Sequence, residues 1–558
     1  MSRDHDTITR LRVGEMPLIR KVIEQLHLKD IFLKYIKPHK KETIPAADSL
    51  LILLFNITGG RQPLYEIEQW VQRIDSRVFG YKFFKKGVMN DDRFGRALHK
   101  LYLTDRASMM TDIVLSMIKF TGIDLSRVHN DSTTVKAYGK MPGRTRTGLK
   151  LAQGHSKDHR PDLKQIVYSL SVSADGAVPV HYKTYAGNRS DDTTHIETWS
   201  TLHKIIGRPS FLYVADSKVC TEKQLFHIVN HGGRVVTIIP DTWKEVRDFK
   251  EELRRGKKNK KIIWRRTVPG ERESVEYFSC FSGNHRTAKG NYKIHWVYSS
   301  EKKKRDRDIR EKALKKAEYK LADLCGKLNM RNLKTKENIL KIADEITRGQ
   351  AVERYFHLKI DEVQQTYKKQ IGVGRPTSKT KYRTVKEKLY SLSYTRNQRA
   401  LKEETNVDGV FPLLATDPEI TPKDALLAYK YQPRLEKRFT QFKSVHNAAP
   451  LFFKRIERVE GIMFLFFISL MIQAVIEREV RLKMEEKNIA ALPVYPEHRI
   501  AYHPTTAKIF DRFDGLSLYK LKQNGVLKIL RDDLSVLQKK IITILGIPEY
   551  EFWSEGNL

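Results

Sequence analysis

Apolar residues spaced three and four positions apart dominate the first part of the chain. In "NDDRFGRALHKLY", three apolar residues recur at i, i+4 and i+7 behind Asn90, which can cap a helix. The segment "PAADSLLILLFNITGG" begins with Pro45 and ends with two glycines, the asymmetry that helix starts and ends favour. Residues 1–125 are therefore predicted to form a helical domain.

Beyond this point the apolar pattern changes to the alternation of strands. "RVHNDSTTVKAYG" is a first strand-like run, and in "QIVYSLSVSADGAVPVHYKTYAGN" two further runs flank Asp175 and Gly176, which is a hairpin signal. A helical segment then precedes "FLYVAD", which ends in Asp216, and a helix with Thr221 at its cap precedes "RVVTIIP". This order predicts a mixed α/β domain over residues 126–242.

The pattern is then interrupted. Residues 243–400 hold a basic stretch, strand-like runs such as "YKIHWVYS" and the mixed-charge helical run "EKKKRDRDIREKALKKAEYK", which is typical of a solvated face. We interpret them as an inserted α+β domain. The α/β pattern resumes at "NVDGVFPLLATD", so residues 401–485 are predicted to complete the core, and residues 486–558 to form a C-terminal helical region.

The net charge indicates which class of molecule the protein binds. Lys and Arg total 103 against 66 Asp and Glu, a net charge of +37, which favours a polyanion such as nucleic acid. A basic protein with no nucleic-acid role is the alternative. Because 40% of the residues are hydrophobic and 10% aromatic, the chain is better described as a folded enzyme-sized protein than as a basic tail.

Cysteine usage and apolar runs indicate a cytoplasmic protein without a membrane partner. Three cysteines without paired spacing predict neither a disulfide framework nor a zinc site, and the first residues lack the apolar core of a signal peptide. The run "GIMFLFFISLMIQAVI" is shorter than the roughly 20 residues that span a bilayer. We therefore expect it to be a buried core helix.

Three carboxylates lie where metal-dependent phosphoryl chemistry needs them. Asp131 lies in the first strand-like run, Asp216 at the carboxyl end of an apolar strand, and Glu436 on a later helix. Together they could hold two divalent cations roughly 3.5–4 Å apart, and Mg²⁺ prefers such hard oxygen ligands. Spacing alone does not separate this interpretation from caps and ion pairs, which are the commoner roles of aspartate at strand ends.

The segment "YKYQPRLEKRFTQFKSVHN" places Glu436 on a distinct helical stripe. At about 100° per residue, four side chains fall within one sector: Tyr429, Gln432, Glu436 and Lys443. Four apolar ones form a neighbouring stripe that would pack on a sheet: Tyr431, Leu435, Phe439 and Phe442. Since proline disfavours helix at the residue before it, the helix either kinks at Pro433 or restarts with it in the first turn.

Several of these segments, in order along the chain, resemble the DDE transposases of bacterial insertion sequences. "NDST" and "VADS" resemble the family's two aspartate strands and point to Asp131 and Asp216. "GHSKDHRPDLKQ" and "AGNRSDDTT" resemble two further family blocks. The helix just quoted resembles the signature Y-x2-R-x3-E-x6-K, on Tyr429, Glu436 and Lys443. Gln432 stands where the signature has arginine, so Lys430 or Arg434 would have to replace that phosphate contact.

The resemblance implies a fold and an activity. It implies a ribonuclease H-like mixed α/β sheet core, interrupted before its glutamate by the insertion, with the N-terminal helical domain binding the ends of the element. Asp131, Asp216 and Glu436 would be the catalytic residues and metal ligands, with Mg²⁺ as cofactor and Mn²⁺ as a substitute. The implied partners are double-stranded DNA, as terminal repeats and target, and a second copy in a homodimer. The implied location is the nucleoid of a bacterial cytoplasm.

By the same resemblance, DNA contacts are expected from Tyr429, Gln432, Arg434 and Lys443 of the segment around Glu436. Further DNA contacts are expected outside the carboxylate site. Lys157, Arg160 and Lys164 lie in a polar, basic loop and could contact the DNA backbone; a transition-metal site built from the histidines and aspartates of this loop is less favoured. By resemblance, Trp264 or Trp296 of the insertion could stack on a flipped base, against the alternative of packing in a core.

Two other functions remain open from the sequence. One is a catalytically inactive DNA-binding protein derived from a transposase. The other is a Mg²⁺-dependent nuclease that hydrolyses DNA without joining strands. The intact carboxylates Asp131, Asp216 and Glu436 argue against the first, and strand-transfer products would exclude the second.

Overall fold

The computed structural model describes residues 7–137, 149, 151–153, 163–189, 194–256, 258–268, 274–330, 332–445, 455–523 and 526–553. These residues divide into two compact units. The first comprises residues 1–237 and 427–558, and the second comprises residues 238–426. Each unit is described by itself.

The described α-helices are α1 (Met16–Gln25), α2 (Leu28–Tyr35), α3 (Ala46–Phe55), α4 (Ile67–Arg73), α5 (Asp91–Leu103), α6 (Arg106–Thr121), α7 (His195–Ile206), α8 (Glu222–Asn230), α9 (Lys244–Arg255), α10 (Ser300–Gly326), α11 (Lys336–Arg348), α12 (Gln398–Glu404), α13 (Pro422–Lys430), α14 (Gln432–Thr440), α15 (Ile456–Glu486), α16 (Thr506–Asp511), α17 (Val536–Ile544) and α18 (Glu549–Phe552). The described strands are β1 (Thr7–Arg12), β2 (Arg127–Ala137), β3 (Lys164–Ser173), β4 (Pro179–Ala186), β5 (Leu212–Val214), β6 (Arg234–Ile238), β7 (Lys260–Val268), β8 (Ser274–Phe281), β9 (His285–Arg286), β10 (Lys293–Ser299), β11 (Phe356–Gln370), β12 (Tyr382–Arg396), β13 (Val410–Ala415), β14 (Ser517–Gln523) and β15 (Val526–Arg531).

A mixed sheet forms the centre of the first unit, in the order β4-β3-β2-β5-β6. β2, β3 and β4 pair antiparallel, whereas β5 and β6 continue the sheet parallel to β2. The predicted hairpin joins β3 to β4, and Gly176 adopts the positive φ of 79° that its turn requires. The predicted mixed α/β architecture is confirmed for this unit.

Helices α1 to α6 form the N-terminal region, as predicted, and Asn90 caps α5 by accepting from the Arg93 amide at 3.0 Å. The C-terminal region, predicted to be helical, contains α16, α17 and α18 and also two strands. β14 and β15 form an antiparallel pair, and β14 also pairs with β1 from the other end of the chain. In β14, apolar and basic residues alternate in "YKLK", which has the period of a strand.

The long apolar helix α15 passes through the core of the first unit. Within the described residues it is the helix long and apolar enough to cross a membrane, and the whole of its apolar window is buried inside the protein. It packs against α5, β4 and α1, and a Cβ on Gly461 would lie 2.8 Å from the Leu98 carbonyl oxygen. The prediction of a buried core helix is confirmed.

The second unit contains antiparallel strands in the order β13-β10-β8-β7, with the short β9 paired to β10. Helices α10 and α11 pack on one another and on the base of a separate two-stranded ribbon, β11-β12. β13, which the sequence assigns to the second part of the core, pairs with β10 in this unit.

Candidate active site

Asp131 lies within β2, and Asp216 follows the end of the neighbouring strand β5. β2 and β5 run parallel, with Arg127 opposite Leu212 and His129 opposite Val214, and their pairing ends there. Asp131 continues in β2 opposite Leu170 of β3. Continued by two residues, the β2-β5 register would bring Asp131 next to Asp216 at the carboxyl end of β5.

Local hydrogen bonds orient both aspartates. Asp131 accepts from the Ser132 amide at 2.7 Å. Asp216 caps the 3₁₀ turn that follows β5, accepting from the Lys218 amide at 3.0 Å, while its carbonyl accepts from the Thr237 hydroxyl at 2.7 Å. Each carboxylate is thus held by its own backbone and remains partly exposed.

Glu436 lies on a helix that restarts at the proline. α13 ends at Lys430, and α14 begins at Gln432 with Pro433 in its first turn. Of the two conformations open from the sequence, the restart is therefore the one adopted, and Tyr429 and Glu436 lie on different helices. The Glu436 side chain is exposed on α14.

The charges of all three carboxylates nevertheless act on Tyr429. Burial, followed by the charges of Asp216, Glu436 and Asp131 in that order, raises the pKa of its phenol to about 12. Burial raises the pKa of the Tyr213 phenol as well, with smaller contributions from Tyr185, Asp216 and Asp131. Since Coulomb interactions fall with distance, each of the three predicted catalytic carboxylates is within electrostatic range of the Tyr429 phenol.

The apolar stripe of α14 packs on the sheet, as predicted. Leu435 and Phe442 are fully buried, and the Phe442 ring stacks on Tyr168 of β3 with centroids 4.5 Å apart. Tyr431 packs against His129 of β2 at 4.8 Å. This packing holds the Glu436 helix against the strand that carries Asp131.

Gln432, a predicted DNA contact, is buried against β2, and its contact with DNA stays a prediction. The side chain is only 7% exposed, its Nε2 donates to the Asn130 carbonyl at 3.0 Å, and its Oε1 lies 3.2 Å from Nδ1 of His129. The restart of the helix turns this position towards β2. Burial lowers the pKa of His129 to about 4, an effect that the Gln432 hydrogen bond partly offsets, so this imidazole is neutral at pH 7. Gln432 thereby ties α14 to the residue next to Asp131.

Arg438 is a positioning residue that the sequence reasoning missed. Its guanidinium donates to the carbonyls of Gly176 and Ala177 at 3.0 Å each, to Glu477 at 2.9 Å and to Gln441 at 2.8 Å. It therefore joins α14 to the β3-β4 turn and to α15. The sequence could have indicated this role, because Arg438 lies on the apolar stripe, three residues after Leu435 and four before Phe442.

The predicted cationic contacts are dispersed around α14 and the sheet. Lys443 is partly buried in the π-helical turn Gln441–Val445 that extends α14. Arg434 is exposed, with its guanidinium 5.4 Å from the Tyr431 ring, and Lys164 is exposed at the start of β3. Their DNA contacts stay predictions. Lys157 and Arg160 lie outside the described residues.

The two tryptophans of the second unit have different environments. Trp296 is 2% exposed and stacks on Phe249 with centroids 4.0 Å apart, so its ring packs in the core beside β10, which is the alternative that the sequence left open. Base stacking by Trp296 stays a prediction. Trp264 is partly exposed and its ring lies 5.2 Å from that of Phe278. Its stacking role stays a prediction.

The donor chemistry of the site fits a hard divalent cation. Asp131, Asp216 and Glu436 offer carboxylate oxygens only, the ligand type that Mg²⁺ and Mn²⁺ prefer. Among the described residues, no group of three His, Cys, Asp or Glu side chains is close enough together to hold a metal ion. The carboxylates thus share Tyr429 as a neighbour without forming a closed cluster.

Comparisons with known proteins give partial likenesses. A family model described as a domain of unknown function, DUF4277, matches residues 8–115. No curated protein matches the chain. Among solved structures, a cryo-EM structure of piggyBac transposase in a synaptic complex with hairpin DNA is similar over 99% of this chain and 87% of that chain, with 9% sequence identity and a TM-score of 0.38. A likeness at this TM-score does not assign a function to the chain.

Proposed function

We propose that this protein is a DDE-type transposase that binds the ends of its mobile element as a homodimer and catalyses metal-dependent strand cleavage and strand transfer. One observation supports the proposal most: Asp131 and Asp216 lie on or directly after adjacent parallel strands, and their charges, with that of Glu436 on α14, act on the Tyr429 phenol. The motif order along the chain supports it, and the ribonuclease H-like assignment of the β4-β3-β2-β5-β6 sheet belongs to the same proposal.

The three carboxylates would hold a pair of Mg²⁺ ions. When bound, such ions activate the attacking oxygen and stabilise the leaving oxygen of an in-line displacement at phosphorus. In the first reaction, water attacks a phosphodiester at the element end and the P–O bond to the 3′ oxygen breaks, leaving a 3′-OH. In the second, this 3′-OH attacks a target phosphodiester and releases a 3′-OH of the target strand.

The other residues of α14 would position the substrate and the glutamate. Lys443 and Arg434 lie on or next to this helix and supply cations for the DNA phosphates. Gln432 and Arg438 hold the helix on β2 and on the β3-β4 turn. This division of roles separates residues that contact DNA from residues that orient Glu436.

The test is Mg²⁺-dependent cleavage of DNA that carries the element's own ends, with wild type beside Glu436→Gln. Glu485→Gln, an exposed glutamate on α15, is the matched control. We expect wild type and the control to cut and join, and Glu436→Gln to bind equally while cleaving at least about 100-fold more slowly, since metal-assisted charge stabilisation is worth several kcal/mol.

Two results would replace the proposal. If wild type hydrolyses the ends but gives no strand-transfer product with added target DNA, the protein is a metal-dependent nuclease. If both proteins bind the ends and neither cuts with Mg²⁺ or Mn²⁺, it is a DNA-binding derivative of a transposase.

A further inference from the structure

The second unit carries an extended two-stranded ribbon. β11 and β12 are 15 residues each and pair antiparallel along their whole length, from Phe356 opposite Arg396 to Gln370 opposite Tyr382. Among the described residues, no third strand joins them. At about 3.4 Å per residue the ribbon is roughly 50 Å long.

Only the base of the ribbon belongs to a core. Phe356 and Leu392 are buried with Leu314, Leu321 and Ile339 of α10 and α11. From residue 363 outward to the tip and back to residue 389, the side chains are exposed or partly exposed. Since an isolated hairpin is marginally stable in water, a ribbon of this length without packing on either face calls for a partner.

The two faces of the distal ribbon differ. Residues directly opposite one another share a face, so the pairing register sorts the side chains. One face carries an apolar row, interspersed with Gln365, Lys369, Arg383 and Glu387: Val363, Tyr367, Val385 and Leu389. The other face carries amides, hydroxyls and amines: Gln364, Thr366, Lys368, Thr384, Lys386 and Lys388.

The distal ribbon is strongly basic. Residues 363–389 include eight Lys and Arg and one acidic residue, Glu387, which lies on the apolar face. In the tip, Gly372 and Gly374 adopt φ values of 103° and 136°, which favour glycine, and Arg375 and Lys379 add two cations. Within residues 363–389 the polar face and the tip therefore present cations and hydrogen-bonding groups and no carboxylate; Glu362, just below them, pairs with Lys388 at 2.7 Å.

We propose that residues 363–389 form a DNA-binding arm whose polar face lies in a groove of double-stranded DNA. The major groove admits a two-stranded ribbon, lysines and arginines neutralise phosphates, and glutamine and threonine side chains can bond to base edges. Charge argues against a second copy of this arm as the partner, because two such arms would bring sixteen cations together against two carboxylates. The inference stands on the charge and shape of the arm and does not depend on catalysis at Asp131, Asp216 and Glu436.

The test removes three lysines of the polar face in the full chain, as Lys368→Gln/Lys386→Gln/Lys388→Gln. The matched control removes the same charge from exposed positions of α10, as Lys312→Gln/Lys316→Gln/Lys320→Gln. Binding to a duplex of about 30 base pairs of arbitrary sequence is measured by fluorescence anisotropy without divalent cations, over a range of salt concentrations.

We expect the arm variant to bind at least tenfold more weakly than wild type. The slope of log K against log salt should fall by about 0.9 for each DNA phosphate that the variant no longer neutralises, or roughly 3 in all, whereas the control should change it by less than about 1. Equal affinity and equal slope for arm variant, control and wild type would overturn the proposal.

A second variant shortens the arm by joining Val363 to Leu389 through Asn-Gly, which closes a two-residue hairpin turn while keeping the packed base. We expect weaker duplex binding with unchanged thermal unfolding. If this variant instead changes the oligomeric state in sedimentation and binds DNA as wild type does, the arm contacts protein and the proposal fails. Glu436→Gln, which keeps the arm, should retain the wild-type salt slope whatever its cleavage activity, so failure of the arm and failure of the catalytic proposal are distinguishable.

Discussion

Replacing Arg438 with methionine tests how the helix that carries Glu436 is held in place. The change keeps an unbranched side chain of similar length and removes the charge. It deletes the bonds to the Gly176 and Ala177 carbonyls and the ion pair with Glu477, in which both side chains are 7% exposed. Glu477 would keep the Thr506 amide at 3.0 Å and Arg481 at 3.6 Å.

The magnitude follows from the burial of Glu477. Burial raises the pKa of this carboxyl, but the charges of Arg438 and Arg481 outweigh burial and hold the pKa below its usual value. Removing Arg438 leaves this buried carboxylate with the Thr506 amide and the more distant Arg481, so we expect a loss of unfolding free energy near the lower end of the about 3–5 kcal/mol that breaking a buried ion pair costs. In the double variant Arg438→Met/Glu477→Gln no such charge remains. Its free energy of unfolding should therefore exceed that of Arg438→Met by at least about 1.5 kcal/mol.

The two proteins should differ in how stability depends on pH. In wild type the lowered pKa means that Glu477 stabilises the fold above its unfolded pKa, about 4.3, and that this stability is lost as the pH falls through the folded pKa. Arg438→Met removes the largest charge that lowers the pKa, so we expect the pKa of Glu477 to rise relative to wild type. The stability lost relative to wild type is then largest at pH 7 and decreases as the carboxyl protonates on acidification.

The assay is urea unfolding of wild type, both single variants and the double variant, near pH 7 and pH 5. Cleavage of element-end DNA by the folded proteins gives a second readout, which should fall with Arg438→Met because α14 carries Glu436. The reasoning is refuted if Arg438→Met costs less than about 1 kcal/mol at pH 7, or if the stability difference grows at the lower pH.

The remaining predictions concern Gln432 and the two tryptophans. Gln432→Ala should lower the free energy of unfolding by about 1–3 kcal/mol, because it removes the hydrogen bonds to the Asn130 carbonyl and to His129. It should slow cleavage without changing the salt dependence of DNA binding, whereas a changed salt dependence would indicate that Gln432 contacts a phosphate. Trp296→Ala should cost about 3–5 kcal/mol in urea unfolding. Trp264→Ala should leave the protein folded, and unchanged strand-specific cleavage yields would count against base stacking by this ring.

Several features of the fold followed from local sequence patterns. The helical spacing behind Asn90, the hairpin at Gly176 and the buried run of α15 were each predicted in the form that the structure shows. These features depend on side-chain periodicity, capping and turn geometry, which act over a few neighbouring residues. The placement of Asp131 within a strand and of Asp216 just after one belongs to the same class, because both positions were read from strand-like runs.

Other features depended on partners far away along the chain. Gln432 and Trp296 were assigned to DNA on the basis of signature position and aromatic character, and both are buried. The C-terminal strand β14 was missed because its partner β1 lies some five hundred positions earlier. The five-part division of the chain and the DNA contacts of Arg434, Lys443 and Lys164 stay predictions.

The sequence by itself determined the mixed α/β pattern, the basic charge and the three carboxylates, because composition and periodicity are properties of the chain. It left two conformations open at Pro433, since a kink and a restart satisfy local backbone preferences alike. Only the tertiary structure decided between them. In the restarted helix, Leu435 and Phe442 pack on the sheet. Gln432 bonds to Asn130, and Arg438 bonds to the β3-β4 turn. These contacts leave Glu436 on the outer side of α14, where its charge still acts on Tyr429.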